Sequence, residues 1–457
     1  MLSDHIFRAY DIRGKAFTDF DEDGFFLIAQ ALAIFLTQQK NIKNPKIFVS
    51  GDGRNSMTEL YPAVLEGLIL QGAKVTWGGT ITTPINYFAL RQGGFDGAIQ
   101  ISASHNPPED NGLKISTRKG VFFGADIQWI KNYIPSELKH LTYQKSGSCA
   151  HDCQPIDFFS DYQKKLKSLV SLRQKKKLVV DAGNGVAGIF YPQILRQSEQ
   201  EVFELYTDLN PFFPNHQPDP ERAENLADLQ KTVIEKEADF GFAYDGDGDR
   251  LGIVLADGKI LNADKIFAIL CADFLSRNPG GNIVLDVMSG QILAEKIQAL
   301  GGKIFWSKTG HSYIEKAMHE KGIKLGGEQS GHFMFGENFY GHDDACLATL
   351  RFLSAVEKNP QWLDMVTKNW PKTQEFSEKI AVAESEKFSI VDRAIGQLKQ
   401  KFPDHFTIDG IRINFGNGEW GIVRASNTSA CIAVRIETHS IESLEEKKKI
   451  ILENIRR

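Results

Sequence analysis

The sequence predicts three successive α/β units followed by a smaller α+β unit. A chain of 457 residues exceeds what one ordinary hydrophobic core encloses, so several domains are expected. Up to about Pro371, short apolar runs alternate with amphipathic stretches, the pattern of strands covered by helices. Beyond it the texture changes. Ser377–Val382, Gly410–Phe415 and Cys431–Glu437 read as strands of an antiparallel layer, and a Glu- and Lys-rich helix closes the chain.

The first unit, 1–152, holds a helix from about Asp23 to Gln39, strands at Lys46–Ser50, Lys74–Trp77 and Gly97–Ser102, and a helix over Glu59–Gln71. A polar stretch at 146–157 marks its end. The second, 153–259, contains the strand Lys177–Val180 and the turn Asp181-Ala182-Gly183-Asn184-Gly185-Val186-Ala187-Gly188. Its three glycines match a dinucleotide fingerprint loosely. No acidic residue closes a clear next strand, so close helix–strand packing is the better account. A proline-rich surface loop at 211–220 follows. The third unit, 260–370, has strands at Asn282–Val287 and Lys303–Trp306 and a helix over Tyr313–Lys321; the fourth spans 371–457.

Composition narrows the function. Content of 42% hydrophobic and 24% charged residues is ordinary for a soluble protein. No apolar run reaches the roughly 18 residues of a membrane span, and the first residues lack a signal-peptide core, so a cytoplasmic location without membrane association is expected. A formal charge of −5 argues against nucleic acid as the main partner. Cys149, Cys153, Cys271, Cys346 and Cys431 are scattered, and the first two lack a second Cys/His pair, so reduced thiols are expected rather than zinc. The oligomeric state stays open, and nothing in the sequence demands more than a monomer.

The strongest chemical signal is Asp245-Gly246-Asp247-Gly248-Asp249-Arg250, between the apolar runs Phe240–Ala243 and Leu251–Leu255. Three carboxylates at alternate positions repel one another unless a hard divalent cation sits among their oxygens, and the intervening glycines let the backbone curl to bring them together. A solvated turn is the bland alternative; a third Asp and an Arg between two strands weigh against it. EF-hand spacing fails at Arg250 and Ala256, which leaves Mg²⁺, a metal that shares its ligands with phosphates. Arg250 beside it suits a transferring phosphoryl group.

A second centre is Ser102-Ala103-Ser104-His105-Asn106-Pro107, at the end of the third strand. A serine beside a histidine is by itself a weak signal, but phosphate on Ser104 would offer the metal an oxygen that the aspartates leave wanting. Lys114 is either a snorkelling surface lysine or a proton carrier and phosphate contact. In Gly327-Glu328-Gln329-Ser330-Gly331-His332, Glu328 and Ser330 could point together toward adjacent sugar hydroxyls. His311 and His332 taken alone are more ordinary as structural histidines. Arg424-Ala425-Ser426-Asn427-Thr428, on a short turn between the later strands, is either a phosphate cradle or a plain turn.

Five loops in this order, from Phe7-Arg8-Ala9-Tyr10-Asp11-Ile12-Arg13-Gly14 through the Ser104, Asp245 and Glu328 loops to Arg424-Ala425-Ser426-Asn427-Thr428, resemble the α-D-phosphohexomutase superfamily, most closely its bacterial phosphomannomutase/phosphoglucomutase branch. The resemblance implies four domains around one central cleft. It implies that Ser104 carries a transferable phosphate, that Asp245, Asp247 and Asp249 hold Mg²⁺ with a phosphoserine oxygen, and that a hexose 1,6-bisphosphate turns around in the site as intermediate and activator. By the same resemblance, Arg250 stabilises the transferring group, Lys114 and His332 move protons, and Tyr10, Arg13 and His105 surround the phosphate. Arg424, Ser426, Asn427, Thr428 and His311 would hold the distal phosphate, and Glu328 and Ser330 the sugar. Two positions depart from the pattern: Met288 replaces a substrate-contacting lysine, and Ser429-Ala430 replaces a Pro-containing pair. Phosphoglucosamine mutase is the alternative within the family. Outside it stand a phosphatase with Asp245 as nucleophile and a sugar-phosphate-binding protein without turnover.

Overall fold

In the computed structural model, residues 2–118, 120–138, 140–145, 156–426 and 430–456 are described. They divide into two compact units, residues 1–262 with 331–357 and residues 263–330 with 358–457.

The first unit opens with strands β1 (Ile12–Lys15), β2 (Lys46–Gly51), β3 (Lys74–Thr80), β4 (Gly97–Ile101), β5 (Asp110–Thr117) and β6 (Gly120–Val121). They form a mixed sheet in the order β1-β5-β4-β2-β3, with β6 on β5. β2 pairs in parallel with β3 and β4, while β5 runs antiparallel between β4 and β1. Helices α1 (Glu22–Gln38), α2 (Met57–Leu70) and α4 (Ala125–Tyr133) bury one face against Ile47, Val49, Ile99 and Ile101. On the other face α3 (Thr83–Gln92) donates from Asn86 to Ser50 Oγ at 2.7 Å. Covered on both sides, β4 is buried throughout, which is why it reads as a continuous apolar run. Asp21 caps α1 by accepting from Gly24 N–H at 3.0 Å, and this cap marks the start of the helix.

A second mixed sheet follows, built from β7 (Lys177–Asp181), β8 (Glu201–Leu205), β9 (Phe240–Tyr244), β10 (Leu251–Leu255) and β11 (Ile260–Leu261) in the order β11-β10-β9-β7-β8. Helices α5 (Phe159–Leu169), α6 (Ala187–Gln197) and α7 (Ala227–Glu235) belong to the same stretch. β9 and β10 pair antiparallel around the aspartate loop, Tyr244 facing Leu251, so the loop is the tip of a buried hairpin.

In the second unit, α8 (Ala263–Arg277), β12 (Asn282–Asp286), α9 (Gln291–Ala299), β13 (Lys303–Ser307), α10 (His311–Lys321) and β14 (Leu325–Gly327) alternate, and β12 pairs in parallel with β13 and β14. The chain then returns to the first unit through β15 (Phe333–Phe335) and α11 (Ala345–Lys358) before finishing in the second. The return is absent from the sequence-based division, which leaves 331–357 inside the stretch 260–370. The closing elements are α12 (Gln361–Thr367), β16 (Gln374–Ala381), α13 (Lys387–Lys401), β17 (His405–Phe406), β18 (Ile411–Gly416), β19 (Glu419–Ala425), β20 (Cys431–Thr438) and α14 (Ile441–Arg456). The sheet β16-β20-β19-β18-β17 is antiparallel throughout. Arg424 sits in β19 rather than on a turn, because the strand runs two residues past Val423.

One buried acid makes the first unit pH-sensitive. Asp344 caps α11 by accepting from Leu347 N–H at 2.8 Å, and Tyr162 donates its hydroxyl to the carboxyl at 2.8 and 2.9 Å. Burial pushes the Asp344 carboxyl from 3.8 up to about 7. A folded-state value above the unfolded one means that the native state favours the protonated acid. That stability is complete below about pH 4 and lost as pH climbs to about 7. Asp344→Asn, neutral at every pH, is expected to gain on the order of 2 to 4 kcal/mol over the parent at pH 8 and nothing at pH 4, measured by denaturant unfolding.

Candidate active site

Asp245, Asp247 and Asp249 are fully buried at the hairpin tip, and one oxygen from each lies within 4.8 Å of the others. Gly248 takes φ +77°, which provides the tight curl. Asp245 Oδ1 accepts from the N–H groups of Asp249 (3.0 Å) and Arg250 (3.1 Å), which folds the loop back on its first carboxylate. The glycine-rich turn after β7 supports this loop. Val186 N–H donates to Gly246 O at 3.1 Å, and a Cβ on Gly185 would lie 2.9 Å from that same oxygen. The turn is packing, and Gly185 is the glycine that lies against the aspartate loop.

The Ser104 loop meets this centre directly. Ser104 has φ +54°, a conformation that costs a non-glycine residue about 1 to 2 kcal/mol. Its Oγ donates to Asp245 Oδ2 at 2.6 Å and lies 3.2 Å from His105 Nδ1, and its N–H donates to Ser102 Oγ at 2.8 Å. Asp247 Oδ2 accepts from Ser102 (3.2 Å), Thr83 (2.5 Å) and Lys114 (2.6 Å), and Lys114 Nζ also reaches Asp249 Oδ2 at 2.5 Å. Lys114 is therefore a buried counter-ion, and the surface-lysine reading does not hold.

Electrostatics follow from this crowding. Burial and the charges of Asp249 and Asp247 push the Asp245 carboxyl well up. Burial also opposes ionisation of Asp249, but Lys114, joined by Arg250, outweighs it and holds that carboxyl far below the usual range. Burial likewise disfavours the Lys114 ammonium, yet Asp247, Asp249 and Asp245 keep it charged. Desolvation, then Arg250 and Arg13, hold His105 neutral. Among the described residues nothing donates a hydrogen bond to Asp247 Oδ1 or Asp249 Oδ1, although both are buried. Hard, unshared oxygens converging with a serine hydroxyl suit a Mg²⁺ ion and the phosphate it would bind.

Arg250 and His332 approach through an antiparallel bridge, and Arg250 Nε donates to His332 Nε2 at 3.0 Å. A guanidinium only donates, so Nε2 carries the lone pair and Nδ1 the hydrogen, facing Asp343 Oδ2 at 2.7 Å. Arg13 donates to Asn106 Oδ1 at 3.1 Å and pairs with Asp11 at 2.7 Å. Tyr10 is half-buried.

Gly246 predicts a sensitive contact. A Cβ there would sit 2.3 Å from Ser104 O, a backbone atom already gripped by Arg54 Nη2 at 2.7 Å. Gly246→Ala must push the two loops apart, and a shift of about 1 Å at a reacting centre costs roughly 10²-fold. Turnover of this variant is expected to fall by that factor with unchanged circular dichroism.

The second unit holds the remaining candidates. Ser330 Oγ donates to Glu328 Oε2 at 2.8 Å while Glu328 Oε1 accepts from Gly310 N–H at 2.6 Å, so the pair points together beside His311. Arg424 Nε pairs with Asp409 Oδ2 at 2.8 Å, and that oxygen also accepts from Thr309 N–H at 3.2 Å. Arg424 Nη2 is buried with no hydrogen-bond partner among the described residues. Lys387 Nζ donates to Ser426 O at 2.8 Å. Asn427, Thr428 and Ser429 lie outside the described residues, as do Cys149 and Cys153. Met288 packs beside Trp420, and Arg435 takes its carbonyl at 2.7 Å. Thr83, Arg54, Asp343, Asp409 and Lys387 complete these contacts and were not foreseen from the sequence. Asp409-Gly410 alone had a local signal, a turn dipeptide before a strand.

Sequence patterns of the phosphoglucomutase/phosphomannomutase family match in series: alpha/beta/alpha domain I over residues 4–140, domain II over 157–258, domain III over 262–373 and the C-terminal domain over 378–453. A phosphomannomutase/phosphoglucomutase of Pseudomonas aeruginosa is 34% identical over 446 residues, 97% of this chain and 94% of that protein. A phosphoglucomutase of Neisseria meningitidis is 34% identical over 461 residues, covering 98% and 97%. The crystal structure of a phosphoglucomutase/phosphomannomutase family protein from Burkholderia thailandensis superposes with a TM-score of 0.89 at 32% identity, covering 100% of this chain and 98% of that one. Matched along nearly its whole length, the chain belongs to the phosphoglucomutase/phosphomannomutase family.

Proposed function

We propose that this protein is a phosphohexomutase that moves a phosphoryl group between C1 and C6 of mannose or glucose phosphate, through phosphorylated Ser104 and a hexose 1,6-bisphosphate. The observation that carries the reading is Ser104 Oγ, 2.6 Å from Asp245 Oδ2 among three buried carboxylates. Phosphate on that oxygen enters a site whose acids repel it unless cations compensate. Bound by Asp245, Asp247 and Asp249, Mg²⁺ would supply charge neutralisation at the phosphoryl oxygens.

The chain's own residues do the rest. Arg250 turns from His332 to the transferring group, and Arg13, His105 and Tyr10 surround it. Leaving His332 Nε2 frees its lone pair to take the proton of the attacking sugar hydroxyl, with Asp343 holding the ring. Lys114, charged among the aspartates, returns a proton to Ser104 when phosphate leaves it. The phosphorylated sugar then turns around and gives its other phosphate back to Ser104. Arg424, Ser426, Asn427 and Thr428, with His311, hold the distal phosphate, and the buried Nη2 of Arg424 suits that role. Glu328 and Ser330 take the sugar hydroxyls. The working division of the chain is 1–152, 153–259, 260–370 and 371–457, and its partners are hexose phosphates. Among the described residues no helix is long and apolar enough to cross a membrane.

Phosphorus NMR with mannose 1-phosphate, Mg²⁺ and a trace of glucose 1,6-bisphosphate tests this. A growing 6-phosphate resonance supports the mutase. Orthophosphate alone identifies a phosphatase, and an unchanged spectrum with both mannose and glucose 1-phosphates removes the proposed activity.

A further inference from the structure

The proline-rich loop 211–220 touches the segment that carries Ser104. Gln217 Nε2 donates to His105 O at 2.6 Å. The loop is itself fastened to the second sheet, because His216 Nε2 lies 3.1 Å from Asp181 Oδ2 and Asn215 donates to Asn184 Oδ1 at 2.7 Å. From the other side comes Arg54, fully buried after β2. Its Nη2 donates to Ser104 O (2.7 Å) and Asn106 O (2.7 Å), and its Nη1 to Pro107 O (2.6 Å) and Asp110 O (2.9 Å). Asp52 pairs with Arg54 Nε at 3.2 Å, and the Phe213 ring of the same proline-rich loop lies 5.3 Å from the guanidinium.

Two side chains thus occupy the carbonyls of residues 104, 105, 106 and 107 in succession. No helix or strand holds this segment, so these bonds take the place of a regular ladder. They also fix Ser104 in its unfavourable positive-φ conformation. With its peptide planes fixed on both sides, Ser104 holds its Cβ where Oγ can donate to Asp245.

We propose that Arg54 and the proline-rich loop, through Gln217, form a clamp that positions Ser104 for phosphoryl transfer, which makes Gln217 and Arg54 positioning residues for the nucleophile. The inference rests on the phosphohexomutase reading above. It accounts for the loop's chemistry: prolines stiffen it, His216 and Asn215 anchor it, and Gln217 delivers one hydrogen bond to the catalytic segment.

The test uses the full chain with Mg²⁺ and glucose 1,6-bisphosphate, following phosphate uptake on Ser104 by intact-protein mass spectrometry and turnover of glucose 1-phosphate. Gln217→Ala and Gln217→Glu remove the donor at a half-buried position, so both should fold with an unchanged melting temperature. Each is expected to slow Ser104 phosphorylation and kcat by about 10-fold or more while KM stays within about threefold. Arg54→Lys, which keeps charge but loses the fork, is expected to lose about 100-fold in kcat. Gln217 variants that phosphorylate and turn over at the parental rate overturn the clamp, whatever Arg54→Lys does. If the parent itself takes up no phosphate on Ser104, the mutase reading falls and the clamp's catalytic role falls with it.

Discussion

Ser104→Ala is expected to abolish mutase turnover, by on the order of 10⁴-fold or more, while the fold survives. The variant removes one oxygen and its hydrogen bond to buried Asp245 Oδ2, a loss of about 1 to 3 kcal/mol at most. Arg54 grips the carbonyl of residue 104, not its side chain, and alanine pays about the same backbone cost as serine at φ +54°. The melting temperature should therefore stay near the parent's. What disappears is the atom at 2.6 Å from Asp245 Oδ2, to which the phosphate returns on the proposed route between the two halves of the reaction. A phosphatase acting through Asp245 would behave differently, and the geometry favours the serine route. Asp245 Oδ1 is occupied by two backbone N–H groups and Oδ2 by the serine hydroxyl, an arrangement suited to a ligand and acceptor. If Ser104→Ala kept the parental rate of phosphate release, Asp245 would be the nucleophile and the phosphoserine route would be wrong.

How far the site was legible follows the distance over which its parts communicate. Asp245, Asp247 and Asp249 sit at alternate positions of one loop, so mutual repulsion and the need for a cation are visible in the string itself. Ser104 became interpretable through that loop, although its contact with Asp245 spans 141 residues. The dependence of Gly183, Gly185 and Gly188 on packing was also readable, since glycine spacing without an acidic partner fits a tight turn. Arg54 was not readable. An arginine in a Gly-Asp-Gly-Arg turn looks solvated until the structure shows four carbonyls around it. Gln217 was hidden in a loop whose prolines advertise surface. The passage of residues 331–357 back to the first unit was hidden as well, because periodicity announces strands and helices but not the sheet or core they join. That return brings His332 and Asp343 to Arg250, and so His332 was named for proton transfer only by resemblance.

Lys114→Met is expected to expose the charge balance of the centre. The substitution keeps an unbranched stem of similar volume and deletes the ammonium that lies 2.6 Å from Asp247 Oδ2 and 2.5 Å from Asp249 Oδ2. Three buried carboxylates then lose their closest counter-charge, leaving Arg250 Nε at 4.0 Å from Asp245. Removing one partner of a buried ion pair costs about 3 to 5 kcal/mol. Unfolding in EDTA should show a loss of that order. A divalent cation would sit among the same three carboxylates, so millimolar Mg²⁺ should return most of the stability to the variant while adding less to the parent, whose lysine already offsets part of the charge. Turnover is a separate readout and should not follow stability back. If Lys114 returns the proton to Ser104, the Mg²⁺-saturated variant remains about 10² to 10⁴-fold slow even when fully folded. Equal EDTA stability for parent and variant would mean that the aspartates are neutralised by protons rather than by Lys114. Recovery of full turnover with Mg²⁺ would reduce the lysine to a counter-ion and leave proton return to another group.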